Sequence, residues 1–234
     1  MNSEIMNTGD IDEILYAEDA SYTLLAWHFC GDTLRDGRPI PADGVTLRHD
    51  GEIVPCKSGL HASERLIDAL QYAPGPLLCR VRLGGKMVPH GGDKFAAAER
   101  TILWRFDATE VLRAFGLQCA LEVIDLWDAP AAVREYLETG REDIRLAARK
   151  AIIADWDARW NFTWAAARAA TLDDSWAAAR NAAVSGATAL SLAASGSTWW
   201  GIGQKAFRAD QNARLSRRVQ VEADRLGFEM DPRQ

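Results

Sequence analysis

Two histidines and two cysteines in the first quarter of the chain are the residues whose types could do chemistry: His28 and Cys30 in "WHFC", and Cys56 and His61 in "CKSGLH". Thiolates and imidazoles are soft donors that suit zinc. Their spacings, H-x-C and C-x4-H, are looser than the paired C-x2-C of structural zinc sites. The competing reading is free, mostly buried thiols at Cys30, Cys56, Cys79 and Cys119, with no metal bound. "HGGDK" at 90–94 offers Gly-rich backbone either as a nest for an anion or as a plain surface loop. Gly201 and Gly203 lack the second half of a dinucleotide fingerprint. The chain contains no nucleophile elbow, P-loop or H-E-x-x-H motif.

The chain that must position these residues has 234 of them, 48% hydrophobic and 26% charged, which is enough for one large or two modest cores. The acidic start "MNSEIMNTGDIDEILYAEDA" has no apolar core segment, and no apolar run reaches the length of a membrane span. A cytoplasmic protein without membrane contact is expected. Charge is unevenly divided: 12 Lys and Arg stand against 20 Asp and Glu up to residue 128, and 15 against 13 beyond it. The acidic first part is a poor match for nucleic acid. Near the end, Lys205, Arg208, Arg214, Arg217 and Arg218 are opposed only by Asp210. This is either a solvated helix face or a docking surface for an acidic partner, with Arg214, Arg217 and Arg218 as its contacts.

Two textures meet near Asp128–Pro130, predicting a domain over 1–128 and a second over 129–234. The first alternates short apolar runs with Gly and Pro, an α+β pattern. It predicts a strand over Tyr22–Phe29, a hairpin about Asp50–Gly51 joining Val45–Leu47 to Ile53–Val54, and a helix from Glu64 capped by Ser63. A strand over Leu77–Leu83 ended by Gly84–Gly85 follows, then a strand at Thr101–Trp104 and a helix through "ATEVLRAFGLQCALEVIDLW". The second texture is Ala-rich and helical. "AAVREYLETG" reads as a helix closed by Gly140, and "REDIRLAARKAIIADWDARWNFTWAAARAAT" as a longer one with Trp156, Trp160 and Trp164 on one face. Alanines at contacts let helix backbones approach, and tryptophans fill the gaps. "GSTWWGIGQ" connects to the last basic helix, its Trp199–Trp200 pair a candidate contact patch.

The order of segments in the first half resembles the ADP-ribosyltransferase fold. "LLAWHF" resembles its first strand, with His28 in the ligand-facing place. "SGLHAS" resembles the turn that poly-ADP-ribose polymerases write Gly-Ile-Tyr-Phe-Ala-Ser, with His61 at the Tyr place. "LIDALQYA" is similar to the helix after it, and "LLCRVRLGG" to the strand those enzymes end in Val-Ala-Leu-Gly. The likeness covers about residues 22–106 and implies a split β-sheet domain that binds NAD or a related nucleotide. His28 would then bond a ribose hydroxyl, Gly59 and Ser63 would meet a carboxamide, and Tyr72 or Trp104 would stack on the nicotinamide ring. The family's acid lies at the head of a strand similar to "AERTILWRF". Glu99 falls one residue short of that position and Arg100 occupies it, and a one-residue slip reverses the face. A Glu99 pocket implies ADP-ribose transfer. An Arg100 pocket resembles the RNA 2′-phosphotransferase branch, in which His and Arg residues grip a phosphate. A third outcome is binding without catalysis. The chain is also similar to uncharacterised bacterial and phage proteins that join "GLHAS"-type turns to Ala/Trp-rich tails, which carries no activity with it. The rival function is accordingly a non-catalytic interaction protein, such as a phage factor blocking a host defence complex through its C-terminal helices.

Overall fold

The computed structural model describes residues 23–195 and 200–231. It is α+β, an antiparallel sheet in the N-terminal half followed by helices. Among the described residues one compact unit holds 23–72 and 78–106, and the other holds 73–77 and 107–231. The division thus falls at residue 107, not at 128.

In the first unit, β1 (Leu24–Cys30) is the expected apolar strand; Tyr22 lies outside the described residues. β2 (Thr46–Arg48) and β3 (Leu60–Ala62) are short, whereas β4 (Leu77–His90) and β5 (Lys94–Asp107) are long. Their sheet order is β1-β4-β5-β2, and β3 also pairs with β5. β2 sets Arg48 opposite Glu99 and Leu47 opposite Arg100, and β3 sets His61 opposite Ala96. One residue beyond β3, Ser63 bridges to Trp27 of β1, with N–H···O distances of 2.8 and 3.0 Å.

Three expectations are corrected here. Residues 45–47 do not form a hairpin with 53–54. β2 spends its backbone on β5, His49 N–H extends that pairing to the Ala98 carbonyl at 2.8 Å, and Ile53 is buried as an anchor. Gly84–Gly85 does not end its strand. Gly85 takes φ +64 and β4 continues past it, because a Cβ there would sit 3.1 Å from the Ala98 Cβ, so the glycine absorbs a kink inside the ladder. Ser63 is not a helix cap: its backbone is engaged with Trp27, and α1 (Leu66–Gln71) starts after Arg65 with no side-chain cap. α1 buries Leu66, Ile67, Ala69 and Leu70. Its buried Asp68 is paired with Arg65 at 2.7 Å.

The second unit contains α2 (Thr109–Leu121), α3 (Ala131–Thr139), α4 (Glu142–Ala154), α5 (Phe162–Ala170), α6 (Ser175–Ser195) and α7 (Trp200–Leu226). The boundary moves to residue 107 because α2 packs on α6. A Cβ on Gly116 would lie 3.2 Å from the Ala179 Cα, and one on Gly186 would lie 2.8 Å from the Cys119 carbonyl oxygen. Ala120, Ala166, Ala167, Ala170, Ala182 and Ala183 are buried, so small residues do bring the backbones together. Gly140 closes α3 with φ +64, its N–H donating to the Tyr136 carbonyl at 2.8 Å. The long helix expected after it is broken. α4 stops at Ala154, a 3-10 turn spans Trp156–Trp160, and Asn161 starts α5 by accepting the Thr163 N–H at 2.8 Å. The single helix expected to carry Trp156, Trp160 and Trp164 is therefore not continuous. Trp164 packs against the core and donates Nε1–H to the Ile152 carbonyl at 2.8 Å. Trp199 lies outside the described residues. No helix among them is long and apolar enough to cross a membrane.

Candidate functional site

The chemistry-bearing cluster lies within the first unit. β1 alternates, so His28 and Cys30, two residues apart, share a face, close enough for each to influence the other's ionisation. On the neighbouring strand β4, the Cys79 Sγ stands 3.7 Å from the Cys30 Sγ. From β5, Arg100 reaches the same region. Its guanidinium is only 5% exposed, its Nη1 donates to the His61 carbonyl at 2.7 Å, and its Nε is buried without a hydrogen-bond partner. The buried guanidinium thus has a backbone oxygen as hydrogen-bond acceptor, and the two sulfurs act on it electrostatically.

The electrostatics follow from that arrangement. Burial is the main reason the His28 pKa lies below the usual imidazole value, and the positive charge of Arg100 adds to it, so the ring is neutral at pH 7. The Cys30 thiol is held well below its ordinary range by the hydrogen bond from Cys79, aided by His28 and Arg100, against the opposing effect of burial. Cys79 is pushed up by its bond to a negatively charged Cys30 and by burial. Within the pair Cys30 is the member favoured to ionise. Burial lowers the Arg100 pKa and the two sulfurs counter it.

His61 enters this cluster through its backbone. Its ring belongs to the turn, where Nε2 accepts the Cys56 N–H at 3.0 Å, and burial and the charge of Lys94 lower its pKa. Cys56 is exposed and adopts φ +68. The four soft donors of the metal reading are thus divided, Cys30 beside Cys79 and Cys56 beside the His61 ring. Among the described residues no group of three or more His, Cys, Asp or Glu could hold a metal ion.

The other expected positions fall elsewhere. Glu99 lies across from β2 and is ion-paired with Arg48, whereas the charge of Arg100 acts on His28. Trp104 is 5% exposed and enclosed, edge-on to Trp27 at 5.8 Å and stacked with Phe106 at 6.1 Å, so it presents no free ring face. Tyr72, the residue that ends α1, is half exposed and reaches the β4–β5 turn. Its OH donates to Asp93 Oδ2 at 2.6 Å and Lys94 Nζ sits 4.0 Å above its ring. Gly59 has φ +93, and a Cβ on it would meet Ile53 Cγ2 at 3.2 Å, so its small size serves the turn's own packing. Ser63 is buried, its backbone spent on Trp27.

The basic C-terminal face is largely consumed within the second unit. Arg214 pairs with Glu122 and Asp210, and Arg218 donates to Gln118 Oε1 at 2.9 Å, leaving Arg217 exposed. Packing of α7 on α2 turns the first and third of these arginines inward.

Cys79 is the site member that sequence reasoning missed as such. The i, i+2 spacing of His28 and Cys30 was visible, but nothing local to "LLCRVRL" announces which neighbouring strand it joins.

A family described as a domain of unknown function (DUF7666) matches residues 24–114, from the start of β1 into α2. No curated protein and no solved structure matches the chain.

Proposed function

We propose that the first unit binds a phosphate-bearing nucleotide, NAD or a related molecule, in the manner of an ADP-ribosyltransferase-like pocket, with Arg100 receiving the phosphate and His28 a neighbouring hydroxyl. One observation carries this reading: Arg100 is 5% exposed, its guanidinium has an unpartnered Nε, and its charge acts on His28. Burying a cation with an idle donor costs free energy, and an anionic oxygen in the fork would recover it. A neutral His28 beside it can donate to or accept from a hydroxyl.

The same geometry weighs against transfer of ADP-ribose. Stabilising an oxocarbenium ion calls for a carboxylate at the anomeric carbon. Glu99, the candidate, is committed to Arg48, and the group at the site is a cation. Phosphate recognition, without glycosidic cleavage, is the activity this arrangement supports best.

Thermal melting with NAD, ADP-ribose and an RNA ending in a 2′-phosphate tests it. A ligand at a hundred times its Kd stabilises the folded state by about 2.7 kcal/mol, a shift of roughly 5–10 °C for a chain of this size. The shift should vanish in His28→Ala with the circular-dichroism spectrum unchanged. No shift with any of the three ligands would sink the proposal. The rival, partner binding through the C-terminal basic helix, is weakened because only Arg217 of its three arginines is exposed.

A further inference from the structure

Cys30 and Cys79 are cysteines outside any disulfide, 3% and 0% exposed, on hydrogen-bonded neighbouring strands with sulfurs 3.7 Å apart. We propose that they form a redox-modifiable pair, converted by a hydroperoxide into a cross-strand disulfide, and that this conversion tunes anion binding at Arg100. The second half of this inference rests on the phosphate-binding reading above; the first does not.

The geometry supplies a nucleophile and a resolving thiol in contact. A disulfide closes at about 2.05 Å between sulfurs, and the two side chains already face each other. Thiolates, not thiols, attack peroxides. Cys30 is the member held as thiolate by Cys79, His28 and Arg100. Its sulfur attacks the terminal peroxide oxygen, the O–O bond breaks, and hydroxide or alkoxide leaves, giving a sulfenic acid on Cys30. Cys79 is pushed up chiefly through its bond to the charged Cys30, and that charge is gone once Cys30 is oxidised. The Cys79 sulfur then attacks Cys30, the S–O bond breaks, and its proton leaves with the hydroxyl as water. Two thiols have lost two electrons and the peroxide has gained them.

The other cysteines lack this arrangement. Cys119 lies in the second unit, and burial pushes its pKa up to about 12. Cys56 is exposed, and its backbone N–H donates to the His61 ring, away from Cys30.

The consequence falls on Arg100. In the reduced protein the guanidinium faces the Cys30 thiolate, which competes with any incoming anion. The disulfide is neutral, so oxidation should raise affinity for a phosphoryl anion. An opposite charge beside an ionisable group is worth about 1–3 pKa units, a factor of ten or more, so a rise of at least about tenfold is expected.

The full chain is treated with one equivalent of hydrogen peroxide at pH 7, unfolded in excess alkylating agent and mapped by peptide mass spectrometry. The expected product links the Cys30 and Cys79 peptides, leaves Cys56 and Cys119 alkylated, and reverts with dithiothreitol. Cys56→Ser should form it unchanged, and Cys79→Ser should stop at an oxidised Cys30. Recovery of both thiols alkylated, or sulfinic acid at Cys30 with no cross-link in the unmutated chain, overturns the inference. Reduced and oxidised protein are then titrated with inorganic pyrophosphate, the oxidised form binding at least about tenfold tighter. Equal affinity in the two forms overturns the charge argument. A cross-link in a protein that binds pyrophosphate in neither form refutes the nucleotide reading and leaves the thiol pair standing. Pyrophosphate binding with no cross-link does the reverse.

Discussion

Replacing Arg100 by methionine separates a ligand-binding arginine from a structural one. The side chain is 5% exposed, Nη1 donates to the His61 carbonyl at 2.7 Å, and Nε has no partner. Arg100→Met removes a charge-assisted hydrogen bond worth about 1.5–3 kcal/mol and leaves the His61 carbonyl without it. It also removes an unsatisfied donor costing about 1–3 kcal/mol and a desolvated cation costing several more, less its attraction to the thiolate. Cys79 and His28, which lower the Cys30 pKa more than Arg100 does, remain to hold that sulfur. The terms nearly cancel, with the balance toward a variant as stable as the parent or up to about 2 kcal/mol more stable. That is a melting temperature unchanged or raised by up to roughly 8 °C. Binding of pyrophosphate or ADP-ribose should instead fall by about 30-fold to several thousandfold, since losing a buried charged donor to an anion costs about 2–5 kcal/mol. Calorimetric titration and thermal melting of the same preparations give both numbers. A variant that melts more than roughly 6 °C lower and still binds these ligands as the parent does would refute the reasoning, because Arg100 would then be a fold-stabilising residue. Arg100→Lys should fall between, keeping charge and losing the fork.

Stability should fall as the pH drops below about 6.5, since His28 and His61 both have lowered values in the folded protein. Above that value both states leave the imidazoles neutral; below it the unfolded chain binds protons that the folded chain refuses, at up to about 1.4 kcal/mol per histidine per pH unit. His28→Gln should flatten the melting curve between pH 7 and 5; the ion-paired Asp36, Asp143, Asp173 and Glu222 have lowered values and act only at lower pH. Gly186→Ala gains about 1 kcal/mol of helix propensity but drives its methyl to 2.8 Å from the Cys119 carbonyl. Overpacking of that kind costs about 1–3 kcal/mol, so a melting temperature at or above the parent's would contradict the close helix approach. Arg217→Glu should leave the melting temperature unchanged, whereas Arg214→Glu, which sets a carboxylate against Glu122 and Asp210, should lower it measurably.

What was legible in the sequence was local. β1 reads as a strand because six of its seven residues are apolar or aromatic, around one histidine, and α3 ends where Gly140 can take a positive φ. The Ala-rich second half reads as close-packed helices because alanine leaves no other means of burying area. What was not legible depends on partners distant along the chain. "KFAAAERTILW" contains three alanines that favour helix, yet Ala96 and Ala97 lie in β5 because β3 is laid against them. Whether Glu99 or Arg100 faces the site turns on a register that β2 fixes, through Arg48 opposite Glu99. The break at Asp155–Asn161 depends on an Asn side chain capping the next helix, a polar signal inside an otherwise helical run.

The strand path has a consequence for what kind of molecule this unit can engage. One side of β5 is taken by β4, and the other is covered in succession by β3 and β2; β1 has β4 on one flank and meets Ser63 on the other. Among the described residues β5 therefore offers little unsatisfied backbone to an extended peptide, and a foreign strand would find its rims on β2 and on β1 away from Trp27. Recognition along β5 falls to side chains.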